Sequence, residues 1–155
     1  MIRSVHPIEQ ESYAILRSRV NTSKLPPWTR AVTERVIHAS ADPAYLGDLV
    51  CAEEYLAAGA AALRSGAPVA ADSAMTAAGI TSRDVICRVA SPRTVALAAR
   101  AGITRSAAGI RLAYAEAGPG AVWVIGTAPT ALAELLARHV SPALVIGLPV
   151  GFVGA

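Results

Sequence analysis

The chain has 155 residues, 54% hydrophobic and 16% charged, with a formal net charge of +3. That length suits one domain with a sizeable core and is short for two, and the composition excludes a disordered chain. Lys24 is the only lysine, so the positive charge is arginine, with neither the basic run nor the interleaved aromatics of a nucleic-acid-binding face.

The first part reads as helical. Pro7 opens a segment in which Ile8, Ser12, Ile15 and Leu16 fall at helical spacing. The stretch from Asn21 to Pro27 breaks it, and Pro26-Pro27 ends any helix before them. The spacing predicts a second helix over 29–39, with Val32, Val36 and Ile37 inward, then a turn at Ala41-Asp42-Pro43. A third helix is predicted over 53–64, closed at Ser65-Gly66 by a left-handed glycine.

From Ala67 the rhythm changes to short apolar runs at 68–71, 84–89, 121–125 and 142–146. Helical patterns separate the later ones, over 93–101, 106–117 and 129–139. Short β-rich runs alternating with helices predict a three-layer α/β sandwich, its mostly parallel sheet covered by helices on both faces. Small or polar residues follow each run, namely Asp72, Ser91, Thr127 and Gly147. They are read either as the rim of one crevice at the carboxyl edge of the sheet or as ordinary caps and turns. The final run passes into a glycine-rich tail, Gly147 to Ala155, again the pattern of a strand opening into a crevice loop.

Cys51 and Cys87 are the only cysteines and lack the spacing of a zinc site, and Cys87 reads as a core residue of its strand. The start, Met1 to Pro7, has no apolar signal-peptide core, and no apolar run reaches the ~18 residues of a membrane span. A cytoplasmic protein without a membrane partner is expected. Much of the apolar content is alanine, which buries little area per residue and leaves surface suited to a subunit interface. The glycine patterns of dinucleotide and phosphate loops, the nucleophile elbow and the zinc-protease helix are all missing.

Among three histidines, His6 beside Pro7 is expected to be exposed, and His139 sits where a helix end favours a cation. His38 ends the run Glu34 to Ser40 just before a turn, among apolar residues. It is either a proton donor or acceptor working near neutrality, or a satisfied cap. Arg105 follows Thr104, a candidate helix cap, so a guanidinium, a hydroxyl and free N–H groups meet there. That combination suits a carboxylate, and a plain capped helix with an exposed arginine is the alternative.

Seven segments, in order, resemble the precorrin-8X methylmutase family of corrin biosynthesis. They are Ile8-Glu9 with Ser12, Val36-Ile37-His38-Ala39, Gly79-Ile80-Thr81, Asp84 to Cys87 with Pro92-Arg93-Thr94, Thr104 to Ala108, Ala128 to Leu132, and Gly147 to Ala155. The resemblance implies an isomerase that moves a methyl group from C11 to C12 of precorrin-8X, or of its cobalt-bearing counterpart, giving hydrogenobyrinate or cobyrinate. It implies no cofactor and no metal. It makes His38 the general acid, and Ser12, Thr81 and Arg105 the substrate contacts. It further implies a homodimer, a single domain over 1–155, and a family segment C-terminal to it that helps build the site and whose loss would lower stability. A shortened relative that binds a corrinoid without turnover is the other expectation. Thr127 stands where the family has asparagine, and Gly109 where it has alanine, at ~1 kcal/mol of helix propensity.

Overall fold

The computed structural model describes residues 6–138 and 141–153, so His139 and the last two residues of the glycine-rich tail lie outside the described residues. The chain divides into two compact units, residues 1–57 and 58–155.

The first unit is helical: α1 (Pro7–Arg19), α2 (Pro27–Ser40), the short α3 (Tyr45–Asp48) and the start of α4 (Glu53–Arg64). Proline occupies the first position of α1 and α2, where its missing N–H costs nothing and its fixed φ suits a helix. Pro27 therefore starts α2 two residues earlier than the spacing predicts. The residue before it, Pro26, offers no side-chain cap. Glu53 substitutes from a distance: its carboxylate accepts from the Trp28 and Thr29 amides at 2.9 and 2.8 Å, and from the Thr29 hydroxyl at 2.9 Å. Negative charge at a helix start also opposes the macrodipole favourably. At the other end Ala41 takes the left-handed conformation, φ 57°, and donates to the Ile37 carbonyl at 2.8 Å, closing α2 just after His38.

The second unit is the α/β layer. Three parallel strands, β1 (Val69–Ala71), β2 (Val122–Ile125) and β3 (Leu144–Gly147), pair in that order. Between β1 and β2 come α5 (Ala74–Ala78), α6 (Pro92–Ala101) and α7 (Arg105–Ala117), and between β2 and β3 comes α8 (Pro129–Leu136). Alternation along the strands sorts the side chains onto two faces. Ala70, Trp123, Ile125 and Val145 pack with Ile110 and Ala113 of α7 and Ala131 and Leu135 of α8. On the opposite face Leu144 meets α4 at Gly59, where a built Cβ would lie 2.6 Å from the Leu144 side chain. Helices therefore cover both faces, as the α/β reading requires.

One predicted strand is not formed. Of residues 84–89 only Ile86 pairs, as an isolated parallel bridge to Ala70 beside β1. The residues beyond it are drawn into the start of α6 instead: the Thr94 hydroxyl donates to the Arg88 carbonyl, and the Ser91 amide does so at 3.1 Å. The backbone of Val89 is pressed against α7 at Gly109, 3.3 Å from where a Cβ would stand. The glycine that weakens α7 on propensity thus permits this close approach. Cys87 is accordingly a half-buried loop thiol rather than a strand core residue.

Because Gly59 has no room for a side chain, Gly59→Ala is expected to destabilise the protein by ~1–3 kcal/mol through overpacking, despite its higher helix propensity. Chemical denaturation checks this, and an unchanged or raised midpoint would contradict the packing described.

Candidate functional site

In the first unit, α1 and α2 are joined by pairs that run in opposite directions along the two helices. Ser12 and Tyr13 meet His38, and four residues along, Arg17 meets Glu34. Glu34 is 3% exposed, yet its carboxylate is fully engaged. Arg17 donates to it from Nη2 at 2.6 Å and from Nε at 3.2 and 3.3 Å, Arg30 donates at 2.8 Å, and the buried Thr22 hydroxyl donates as well. The Arg17 hydrogen bond, helped by Thr22 and Arg30, outweighs desolvation and holds the Glu34 carboxyl down at about 2. The same contact holds the Arg17 guanidinium above its ordinary value. Charge-assisted bonds to a carboxylate removed from water are the strong kind.

This clamp sets the distance between the helices one turn away, where the candidate acid sits. The Ser12 hydroxyl lies 2.8 Å from His38 Nδ1. His38 is half-buried, and its Nε2 has no partner among the described residues. When Ser12 donates to Nδ1, the neutral ring carries its proton on Nε2; when the ring is an imidazolium, Nδ1–H donates to Ser12 and Nε2–H is again free. Either way Nε2 is the nitrogen available to a ligand. A shallow cavity of about 120 Å³ lies beside His38, lined by Ser12, Ile15, Leu16, Arg19, Ile37 and His38 among others. Whole ligand pockets run to ~300–1,000 Å³. This one admits the edge of a large ligand against an apolar wall, with a hydroxyl, an imidazole and the exposed Arg19 guanidinium at hand.

In the second unit, the carboxyl edge of the sheet is organised by Asp72, 2% exposed at the end of β1. Its carboxylate accepts from the Gly126, Thr127 and Ala128 amides at 3.2, 2.9 and 2.7 Å, and from the Thr76 hydroxyl at 3.0 Å. Ser73, Thr76 and Thr127 hydroxyls form a cluster 2.8–3.2 Å apart beside it. So Asp72 and Thr127 meet at this edge, through the loop ties that the cap-and-turn reading describes. Gly147 pairs with Ile125 at the same edge. Ser91 does not join them, because no strand forms before it.

Thr81 and Arg105 lie in this unit, Thr81 in the turn after α5 and Arg105 in the first turn of α7. Both are exposed, and neither bonds to a described residue. Thr104 caps α7 as predicted, accepting from the Ala107 amide at 3.1 Å, and its hydroxyl lies 2.8 Å from that of Thr130. Most other arginines are spoken for: Arg35 with Glu9 at 3.3 Å, Arg88 with Glu116, and Arg111 and Arg138 with Glu134 at 2.7 and 2.8 Å. The Arg111 hydrogen bond, joined by Arg138, holds Glu134 below the usual carboxylate range against its desolvation. Arg105 stands apart from these pairs, with its charge open to a ligand. His6 is exposed as expected and caps α1, accepting from the Ile8 amide at 3.2 Å.

A model of the precorrin-8X methylmutase family matches residues 7–155. The chain belongs to the precorrin-8X methylmutase family. Its members are methyl-shifting isomerases of corrin biosynthesis. The precorrin-8X methylmutase of Sinorhizobium sp is 38% identical over 99% of this chain and 78% of its own length. The cobalt-precorrin-8 methylmutase of Salmonella typhimurium is 34% identical, over 99% of this chain and 79% of its own. Among solved structures, the precorrin-8X methylmutase of Thermus thermophilus superposes with a TM-score of 0.79 at 32% identity, over 95% of this chain and 76% of that one. A precorrin-8X methylmutase related protein gives 0.80 at 31% identity, over 92% and 79%.

The Glu34 clamp has a pH signature. Its folded pKa, about 2, lies below the ordinary 4.5, so its stabilisation is fully present above about pH 5 and is lost as pH falls toward 2. Glu34→Gln is expected to lower stability at pH 7 by on the order of 2–3 kcal/mol, with the gap from wild type closing near pH 2. Denaturant titrations at several pH values check this, and a gap independent of pH would contradict it.

Proposed function

We propose that this chain moves a methyl group from C11 to C12 of precorrin-8X or cobalt-precorrin-8, with His38 as the general acid. The single observation that carries the proposal is the 2.8 Å contact between Ser12 and His38 Nδ1, made at an apolar-walled cavity that both residues line, which leaves Nε2 without a partner among the described residues. General acid catalysis requires a proton held in this way, on a group with a pKa range near neutrality.

The proposed sequence conserves atoms and electrons. His38 Nε2 lends its proton to the conjugated macrocycle near the migrating centre. Electron density is drawn from the ring system, and the barrier to a sigmatropic shift falls. The C11–methyl bond breaks as the C12–methyl bond forms, and the proton returns to Nε2. Substrate and product are isomers, so no reductant, oxidant or cofactor is consumed. The Ser12 contact holds the Nδ1 edge of the imidazole throughout. Arg105 at a helix start and Thr81, neither with a partner among the described residues, would take carboxylate arms of the substrate. The cavity beside His38 suits one edge of such a macrocycle, which is where the chemistry lies.

A single working domain over 1–155, a homodimer and a cytoplasmic location belong to the same proposal. Exposed apolar side chains such as Val150, Phe152 and Val153 support association with a second copy. Among the described residues no helix is long and apolar enough to cross a membrane.

The test follows the visible spectrum after mixing with the substrate. Wild type is expected to convert it to the product spectrum, while His38→Ala binds the tetrapyrrole and loses at least ~100-fold in rate. A His38→Ala enzyme as fast as wild type would remove the acid from this residue. Wild type that binds but never converts substrate would make the chain a corrinoid-binding relative.

A further inference from the structure

The Ser12 contact fixes one atom of the His38 ring and leaves one freedom. With Cγ tethered by the side chain and Nδ1 held by Ser12, small coupled changes in χ1 and χ2 still tilt the ring and sweep Nε2 through an arc. A second constraint must define the ring plane. The phenol ring of Tyr13 supplies it: its centroid lies 4.8 Å from that of His38, and the two planes differ by 3°. Such a close, parallel stack falls within the favourable range for π-systems.

Tyr13 is itself held. The Arg17 guanidinium carbon lies over its ring, 5.5 Å from the centroid, within cation–π range. Arg17 is anchored in turn by the buried Glu34. Tyr13 and Arg17 are one turn apart on α1, and Glu34 and His38 are one turn apart on α2. The four side chains therefore close a circuit between two rigid helices, from Glu34 through Arg17 and Tyr13 back to His38. The hydroxyl of Tyr13 bonds to no described residue, so its contribution to this circuit comes from the ring. Among the described residues the polar and charged groups beside His38 are Ser12, Tyr13 and Arg19, all on α1, the last through the shared cavity lining.

We propose that Tyr13 is a positioning residue for the His38 acid, its aromatic face fixing the imidazole plane and hence the direction in which Nε2 delivers its proton. This rests on the reading of His38 given above. Small errors in the placement of a reacting group cost large factors in rate without touching substrate affinity. Tyr13 needs no contact with the substrate to act in this way.

The experiment compares Tyr13→Leu, Tyr13→Phe and His38→Ala in the tetrapyrrole conversion assay, with NMR of the His38 ring in wild type. Tyr13→Leu is expected to lose roughly ten- to hundredfold in kcat with KM within about twofold of wild type. Tyr13→Phe, which keeps the ring, is expected to recover most of that loss. In wild type, the ring current of Tyr13 is expected to move the His38 carbon-bound protons upfield, and this shift stays in Tyr13→Phe. Full kcat in Tyr13→Leu, or a Tyr13→Phe variant as slow as Tyr13→Leu, would overturn the proposal. Were Tyr13→Leu unable to fold, the absence of the ring-current shift in wild type would overturn it on its own. A fast His38→Ala enzyme would instead overturn the acid assignment, so the two failures are distinct.

Discussion

A buried carboxylate, Glu34, is the constraint on which the rest of the candidate site depends. It sits between two helices that bury few large apolar residues. Leu16 and Ile37 are the buried hydrophobics of the pair, with Thr22 and Thr33 buried beside them. With so small an apolar seam, the relative placement of α1 and α2 must come from directional contacts. Arg17 and Thr22 reach Glu34 from α1 and from the connecting segment, and Arg30 braces it from its own helix. A charge this deep is costly unless its acceptor sites are filled, and here they are. The arrangement tolerates little sliding, because any shift of one helix breaks several charge-assisted bonds at once. Positional accuracy at Ser12 and His38 follows from it.

The second unit solves a similar problem at the end of its sheet. Asp72 gathers three consecutive backbone amides of the loop after β2 onto one carboxylate. A loop that would otherwise present three unpaired donors is fixed in one conformation, and the hydroxyls of Ser73, Thr76 and Thr127 are held beside it. Thr127 fits this cluster through its hydroxyl while its amide serves Asp72. In both units an acid buried at an element's edge orders its neighbours, and the groups offered to a ligand, His38 and Arg105, stand outside those acids' own bonds.

Much of this was legible in the residues. Prolines at helix starts, a glycine after α4 and the alternation of apolar runs with helical patterns carry local rules that packing did not overturn. The run at 84–89 failed because apolar content alone does not decide between a strand and a loop. Arg88 and Thr94 bind it into the start of α6, and that pairing is a tertiary fact. The short helices α3 and α5 are too brief for any periodicity to reveal. His38 stands out from its own run of residues and Ser12 only through the family resemblance, and 26 residues separate them in the chain, so no spacing rule joins them. Tyr13 was missed although it neighbours Ser12, since one aromatic on a helix reads as packing. Glu34 and Asp72 were missed as organisers because a lone acid in a helix or after a strand looks like a solvated charge or a cap until its partners are seen.

The proposed chemistry turns on a proton on His38 Nε2, aimed by α1, reaching a bound macrocycle. The most direct measurement is a crystal structure of this protein with the tetrapyrrole product bound. The account predicts the macrocycle edge within ~3.5 Å of Nε2, with the Ser12 contact to Nδ1 intact. A macrocycle bound elsewhere, with the imidazole facing only protein or water, would contradict it.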